Sequence, residues 1–181
     1  MREGMKKTFL WSLVIILLVS GCGYTTKTVL PENIRSVHVP PVQNGINLST
    51  EIDDTTRYRT YRPGLEVELT DAIINRFIFE GTLKVASAER ADAIVEAKVT
   101  DYRRDALRYT DEDDVQEYRL SVIAEVSVYM AGDRKVLWHE TLAGDTTFFL
   151  SGSRAISEDE AAAKAIQDLA RRIVERTLTL W

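Results

Sequence analysis

Side chains able to do acid–base or nucleophilic chemistry are scarce in this sequence. It holds two histidines, His38 and His139, and one cysteine, Cys22. Neither histidine stands at the spacing of a metal-ligand pair, and both fall in extended, alternating stretches, where a half-buried strand residue is the simpler reading than a ligand or base. No GxSxG, HExxH or phosphate-cradling glycine loop occurs, and Ser151 and Ser153 sit in a loop-like SGS. The acidic run 111–114, DEDD, lacks the glycine and the distal glutamate of an EF-hand loop, so it reads as a solvated turn. The expectation is a protein with no catalytic constellation, no metal and no cofactor.

What the chain does offer is cations, and they come in groups. Arg57, Arg59 and Arg62 stand among Tyr58 and Tyr61 in RYRTYR. Arg103, Arg104 and Arg108 follow the alternating part of a strand pattern. Arg134 and Lys135 fall at a predicted hairpin tip, and Arg154 lies in the loop before the last helix. A guanidinium presents a planar fork that matches phosphate and carboxylate, so such groups suit anionic ligands. Each also reads as ordinary solvated loop charge. The net charge of −5 argues against nucleic acid, which needs a concentrated basic face.

Cys22 belongs to other chemistry. Lys6 and Lys7 give a charged start, residues 9–19 are apolar except Ser12, and Val19-Ser20-Gly21-Cys22 follows. Eleven helical residues reach about half of a ~30 Å hydrocarbon core, too little to span it, and the pattern is that of a secretory signal. The tetrapeptide resembles the bacterial lipobox, in which the thiol is acylated and cleavage leaves the cysteine first. Residues 1–21 then form a signal peptide, 22–33 a lipidated tether and 34–181 one globular domain. A single acyl chain holds only marginally, whereas two or more anchor stably. Loss of Arg2, Lys6, Lys7 and Glu3 takes the net charge from −5 to −7. No thiol remains for a disulfide, so packing alone must stabilise the domain. Gly23 follows the cysteine where an Asp would resemble an inner-membrane retention signal, and by that resemblance the outer membrane is expected, with the domain facing the periplasm.

The positioning elements follow from periodicity. Residues 34–39 predict a short strand near a sheet edge, stopped by Pro40-Pro41. Residues 64–80 predict a helix with Leu65, Leu69, Ile73 and Phe77 at i+4 and Gly81 beyond its end. Residues 83–86 are a short extended piece, 93–100 alternate as a strand running towards 109, and 118–130 form the clearest strand. Residues 131–133 turn, and 135–143 return antiparallel. On the solvent side of the long strand lie Arg119, Ser121, Ile123, Glu125, Ser127 and Tyr129. Residues 157–180 predict a helix opened by a Ser157–Glu160 capping box. The fold class is α+β, a two-layer sandwich with two helices on one face of a mixed, mainly antiparallel four-stranded sheet.

Several stretches resemble one family, the lipopolysaccharide-assembly lipoprotein LptE. They are Cys22-Gly23-Tyr24, Leu30-Pro31 leading into IRSVHVP, the helix VELTDAIINRFIFEG, Ala91-Asp92-Ala93, Glu117-Tyr118-Arg119-Leu120, Val136-Leu137-Trp138 and the closing Ala/Ile/Leu helix. The resemblance implies a non-enzymatic protein that sits in the lumen of the LptD β-barrel, assists its assembly, and helps deliver lipopolysaccharide (LPS) to the outer leaflet. Its implied partners are an LptD-like barrel, LPS and, through the acyl chains, the outer membrane. The basic groups named above are then LPS-binding candidates, Arg154 matching the family only in neighbourhood. The 45–62 stretch is longer than the family's usual link. Other envelope modules, such as activators of peptidoglycan synthesis or secretion-complex subunits, share a strand–helix–strand opening and stand as the alternative reading.

Overall fold

A computed structural model describes residues 34–46, 57–59 and 62–179. Cys22 and its flanking apolar run lie outside the described residues. The elements are β1 Ser36–His38, β2 Gln43–Asn44, β3 Arg57–Arg59, α1 Leu65–Glu80, β4 Lys84–Val85, β5 Ala93–Tyr109, β6 Val115–Met130, β7 Val136–Phe149 and α2 Glu158–Leu178. The main sheet order is β4-β1-β5-β6-β7, with β2 and β3 also paired to β5.

Two parts of the expectation are corrected. The sheet has seven strands, not four, and it is mixed rather than mainly antiparallel, because β1–β4, β1–β5 and β2–β5 are parallel ladders. The cause is the length of β5. β6 pairs along one edge of it over the full 17 residues. On the other edge no single strand does so, and β1, β2 and β3 line it in turn, at Ala93–Ile94, Lys98–Val99 and Arg103–Asp105. A ladder two or three residues long is too short to impose alternation on sequence.

The long hairpins carry the core. Alternate positions Val95, Val99, Leu120, Val122, Val126 and Val128 are fully buried on one sheet face. Leu65, Leu69, Ile73 and Phe77 from α1 close over that face, joined by Ala165, Leu169, Ile173 and Val174 from α2. The helices also touch each other, which places both on the same side of the sheet. Gly81 ends α1 in the left-handed region at φ 68°, its N–H donating to the Phe77 carbonyl at 3.0 Å. Ser157 caps α2, its hydroxyl accepting from Glu160 N–H at 3.1 Å.

β7 runs six residues past the predicted end because α2 lies directly on its backbone. A Cβ at Gly144 would stand 2.3 Å from the Ala165 carbonyl oxygen and 2.4 Å from the Leu169 nitrogen, so only glycine allows this approach. Asp145 N–H, beside it, donates to the Asp168 carboxylate at 3.2 Å. Ser121, expected on the solvent side, is buried and donates to the Asp145 carboxylate at 2.6 Å.

At the opposite end of the sheet, Asp92 ties three strands together. One carboxylate oxygen accepts from the N–H groups of Arg35 and Ser36, each at 3.0 Å, and from the Ser36 hydroxyl at 2.7 Å. The Asp92 carbonyl accepts from Ala131 N–H at 2.8 Å, fixing the β6–β7 turn against the start of β1.

Candidate functional site

The cationic groups of the sequence separate to the two ends of the sheet. β3 pairs with β5 so that Arg57 faces Asp105 and Arg59 faces Arg103 along the ladder. The first two arginine groups are thereby one neighbourhood, at the end of the sheet far from β1. Arg134 and Lys135 lie at the other end, in the turn between β6 and β7. A 17-residue strand separates the two, a span of roughly 50 Å at the usual rise.

Within the far end, local geometry sorts the arginines by role. A bulge between Val99 and Asp101 shifts the phase of β5. Tyr102 and Arg104 consequently face the helices, while Arg103 and Asp105 take the other face. Arg104 bonds Glu158, in the first turn of α2, at 2.5 Å and stacks on Tyr118 at 4.6 Å. Tyr102 also donates to Glu158, at 3.4 Å. Burial, and then the Glu158 charge, push the Tyr102 phenol up to about 12. Arg62 is mostly buried and reaches Glu68 at 3.0 Å and Asp159 at 3.6 Å. Arg103 lies 3.3 Å from Asp105 and 3.9 Å from Asp101. Paired in this way, Arg62 ties α1 to the first turn of α2 and Arg104 ties β5 to α2, while Arg103 pairs along β5 on the other face with its side chain 34% exposed.

Arg108 and Arg154 differ. Both converge on Phe149, the last residue of β7, with guanidinium carbons 6.0 and 4.4 Å from its ring centre. Arg108 is largely exposed and lies 3.6 Å from Glu117. Arg154 forms no ion pair with any described residue. The two arginines, Gln116, Phe149 and the loop from Ser151 to Ser153 line an open recess of about 220 Å³. Leu107, Tyr109 and Leu150 are exposed beside it in the chain. Cations against an uncovered apolar cluster suit an amphiphile bearing phosphate or carboxylate, since the headgroup and the apolar part each find a partner.

Phe149, Leu107, Tyr109 and Leu150 were not singled out from sequence. The signal was there in FFLSGSR, an apolar triplet running into a small-residue loop that ends in arginine.

The remaining polar features have structural explanations. The 111–114 acidic run makes the β5–β6 turn, where Asp113 takes φ 65° and the Thr110 hydroxyl accepts from Asp114 N–H at 3.2 Å. On the helix-free sheet face, Ser127 and His139 are direct cross-strand neighbours joined at 2.7 Å, with Glu125 3.2 Å from the other ring nitrogen. The group is solvent-exposed, as an ordinary cross-strand polar pair is. His38 Nδ1 lies 3.1 Å from the Ala86 carbonyl oxygen.

Comparison with known proteins places this geometry. No curated protein matches the sequence. Among solved structures the fold is similar to protein XCC0632 from Xanthomonas campestris, with a TM-score of 0.53 and 16% identity over 83% of this chain and 90% of that one. It is also similar to uncharacterized lipoprotein B from Nitrosomonas europaea, with a TM-score of 0.50 and 12% identity over 83% and 82% of the two chains. At such identities the likeness is one of fold. The family described as LptE, lipopolysaccharide-assembly, matches residues 34–179, covering both helices and all seven strands, and the chain therefore belongs to the LptE family.

Proposed function

We propose that this protein is a lipoprotein of the outer membrane, acylated at Cys22, that plugs an LptD-like β-barrel, assists its assembly and passes LPS towards the outer leaflet. The observation that carries the reading is the far end of the sheet, where Arg108 and Arg154 flank Phe149 beside exposed Leu107, Tyr109 and Leu150. LPS joins phosphates and carboxylates to acyl chains, and this end sets Arg154, without an acidic partner among the described residues, and Arg108, which shares its charge with Glu117, against apolar surface.

The rest of the molecule suits a plug. A water-filled lumen favours a rigid, largely polar occupant. The helix-free sheet face supplies one, with Glu96, Lys98, Glu125, Ser127, His139 and Thr141 projecting from three long paired strands. The role is a binding one and requires no reaction at this chain.

Depletion of the protein tests the reading. The expected result is loss of surface LPS together with misassembly of a large outer-membrane β-barrel. Normal LPS export during complete depletion contradicts it.

A further inference from the structure

The sheet ends at β7, and no described strand pairs with its outer edge. In an antiparallel ladder, alternate residues turn both backbone groups away from the neighbouring strand. Two contacts set that parity in β7. Leu150 N–H, just past the strand, donates to the Gln116 carbonyl on the β6 side at 3.2 Å, whereas Asp145 N–H donates outside the ladder to the Asp168 carboxylate. The odd-numbered residues therefore point outwards, and their register is unbroken from His139 to Phe149.

Part of this outward row is closed. Phe149 forms a bridge to Ala155, and Asp168 caps Asp145. His139, Thr141 and Ala143 remain, and no backbone group of a described residue meets them on that side. Edge strands are ordinarily guarded by shortness, bulges, lysine or proline. β7 is 14 residues long, holds neither lysine nor proline, and has its one irregularity before His139. An edge left open over one such window is a template for an added strand.

The surroundings select what can be added. α2 lies directly on the β7 backbone, with Gly144 against Ala165 and Leu169. Pairing β7 with the same strand of a second copy sets the strands about 4.8 Å apart. Their α2 helices then crowd well inside the 8–10 Å that packed helices need. A lone extended segment with no helix of its own above it avoids this clash. α2 also supplies charge. Asp168 stands at Asp145 and Arg176 bonds Glu140 at 2.9 Å, so Arg172, between them along α2, lies beside the window. Arg172 donates from Nε to Asp168 at 2.8 Å, and its terminal nitrogens reach only Asp145, at 3.9 Å, among the described residues. A carboxylate on the helix side of the added strand completes that guanidinium.

We propose that β7 from His139 to Ala143 accepts an extended, carboxylate-bearing segment of the LptD-like barrel as an eighth strand of the sheet. The inference rests on the barrel-plug reading and adds how the plug is held. The window borders the polar sheet face assigned above to the lumen. A closed barrel has no strand edge of its own to offer, so the segment is a loop or a terminal extension reaching inside.

The test compares amide hydrogen exchange, resolved to single residues, in the acylated protein alone and in its purified complex with the barrel. The amides of His139, Thr141 and Ala143 are expected to exchange roughly tenfold more slowly, or slower still, in the complex. Thr141→Pro removes one outward N–H and spares the β6 ladder. It is expected to weaken the complex roughly tenfold, while Thr141→Val leaves affinity unchanged. Unaltered exchange at the three amides in a complex that forms overturns the inference and leaves the plug reading standing. Protection that grows with concentration in the free protein overturns it in favour of self-pairing. Full affinity in Thr141→Pro overturns it as well, and if that variant has a shifted urea midpoint the exchange comparison decides alone. Failure of any complex to form with the barrel removes the plug reading, and this inference with it.

Discussion

Arg154 sits 4.4 Å over the ring of Phe149 without an acidic partner among the described residues, whereas Arg104, also at the far end of the fold, is closed onto Glu158 at 2.5 Å. Two arginines in one neighbourhood thus do different work. One stitches a strand to a helix, and the other keeps its hydrogen-bonding fork available.

That difference makes the two residues separable by mutation. Arg154→Ala is expected to weaken LPS binding by about 1.5–3 kcal/mol, the usual worth of a hydrogen bond to a charged group, with little change in folding stability. Arg108→Ala should weaken it less, because Glu117 already shares that charge. Arg104→Ala should instead lower stability, leaving Glu158 without its partner. Binding titrations with purified LPS, paired with urea unfolding of each variant, read both quantities.

Gly144→Ala tests the contact between β7 and α2. The added methyl meets helix backbone rather than a movable side-chain tip. Overpacking typically costs about 1–3 kcal/mol, and here the helix itself must move, so the upper part of that range is expected. A shift in the urea midpoint at unchanged slope is the measurement.

The Asp92 hub predicts acid sensitivity. The Ser36 hydroxyl, and then the Arg35 N–H, hold its carboxyl below the ordinary value of 3.8. A depressed folded pKa contributes stability that is fully present above the unfolded value and is lost as pH falls through the folded one. Stability should therefore drop on acidification below about pH 4. Glu140, bonded by Arg176, and Asp168 are lowered as well. At Asp168 burial acts in the opposite direction and is outweighed by the Arg171, Asp145 and Arg172 contacts. Asp92→Asn should consequently shrink the acid-dependent loss without abolishing it, and should cost about 1 kcal/mol at neutral pH, because the amide oxygen still accepts from Arg35 and Ser36 but without the carboxylate charge. Unfolding curves from pH 3 to 7 for both proteins check this.

Which parts of this architecture could be read from sequence follows from how much of each element's environment is local. α2 was legible because Ser157, Glu160 and the Ile166–Leu169–Ile173 stripe lie within its own span. β6 was legible because every second residue from Tyr118 to Met130 enters one core. β2 and β3 were not, since each is held only by the far side of β5. The bulge at Thr100 left no mark in the sequence, yet it decides which of Arg103 and Arg104 meets α2. Likewise, Gly144 reads as a strand terminator until the helix backbone packed on it is known. The candidate site was legible as separate charges. That Arg108 and Arg154 share Phe149 depends on pairing across three elements.

The most direct test of the central claim is photo-crosslinking in growing cells from a benzophenone amino acid at Leu150, beside the Arg108–Arg154 recess. Adducts with a large outer-membrane β-barrel and with LPS are predicted. Efficient crosslinking only to peptidoglycan enzymes or to other copies of this chain, with no barrel adduct, would contradict the account.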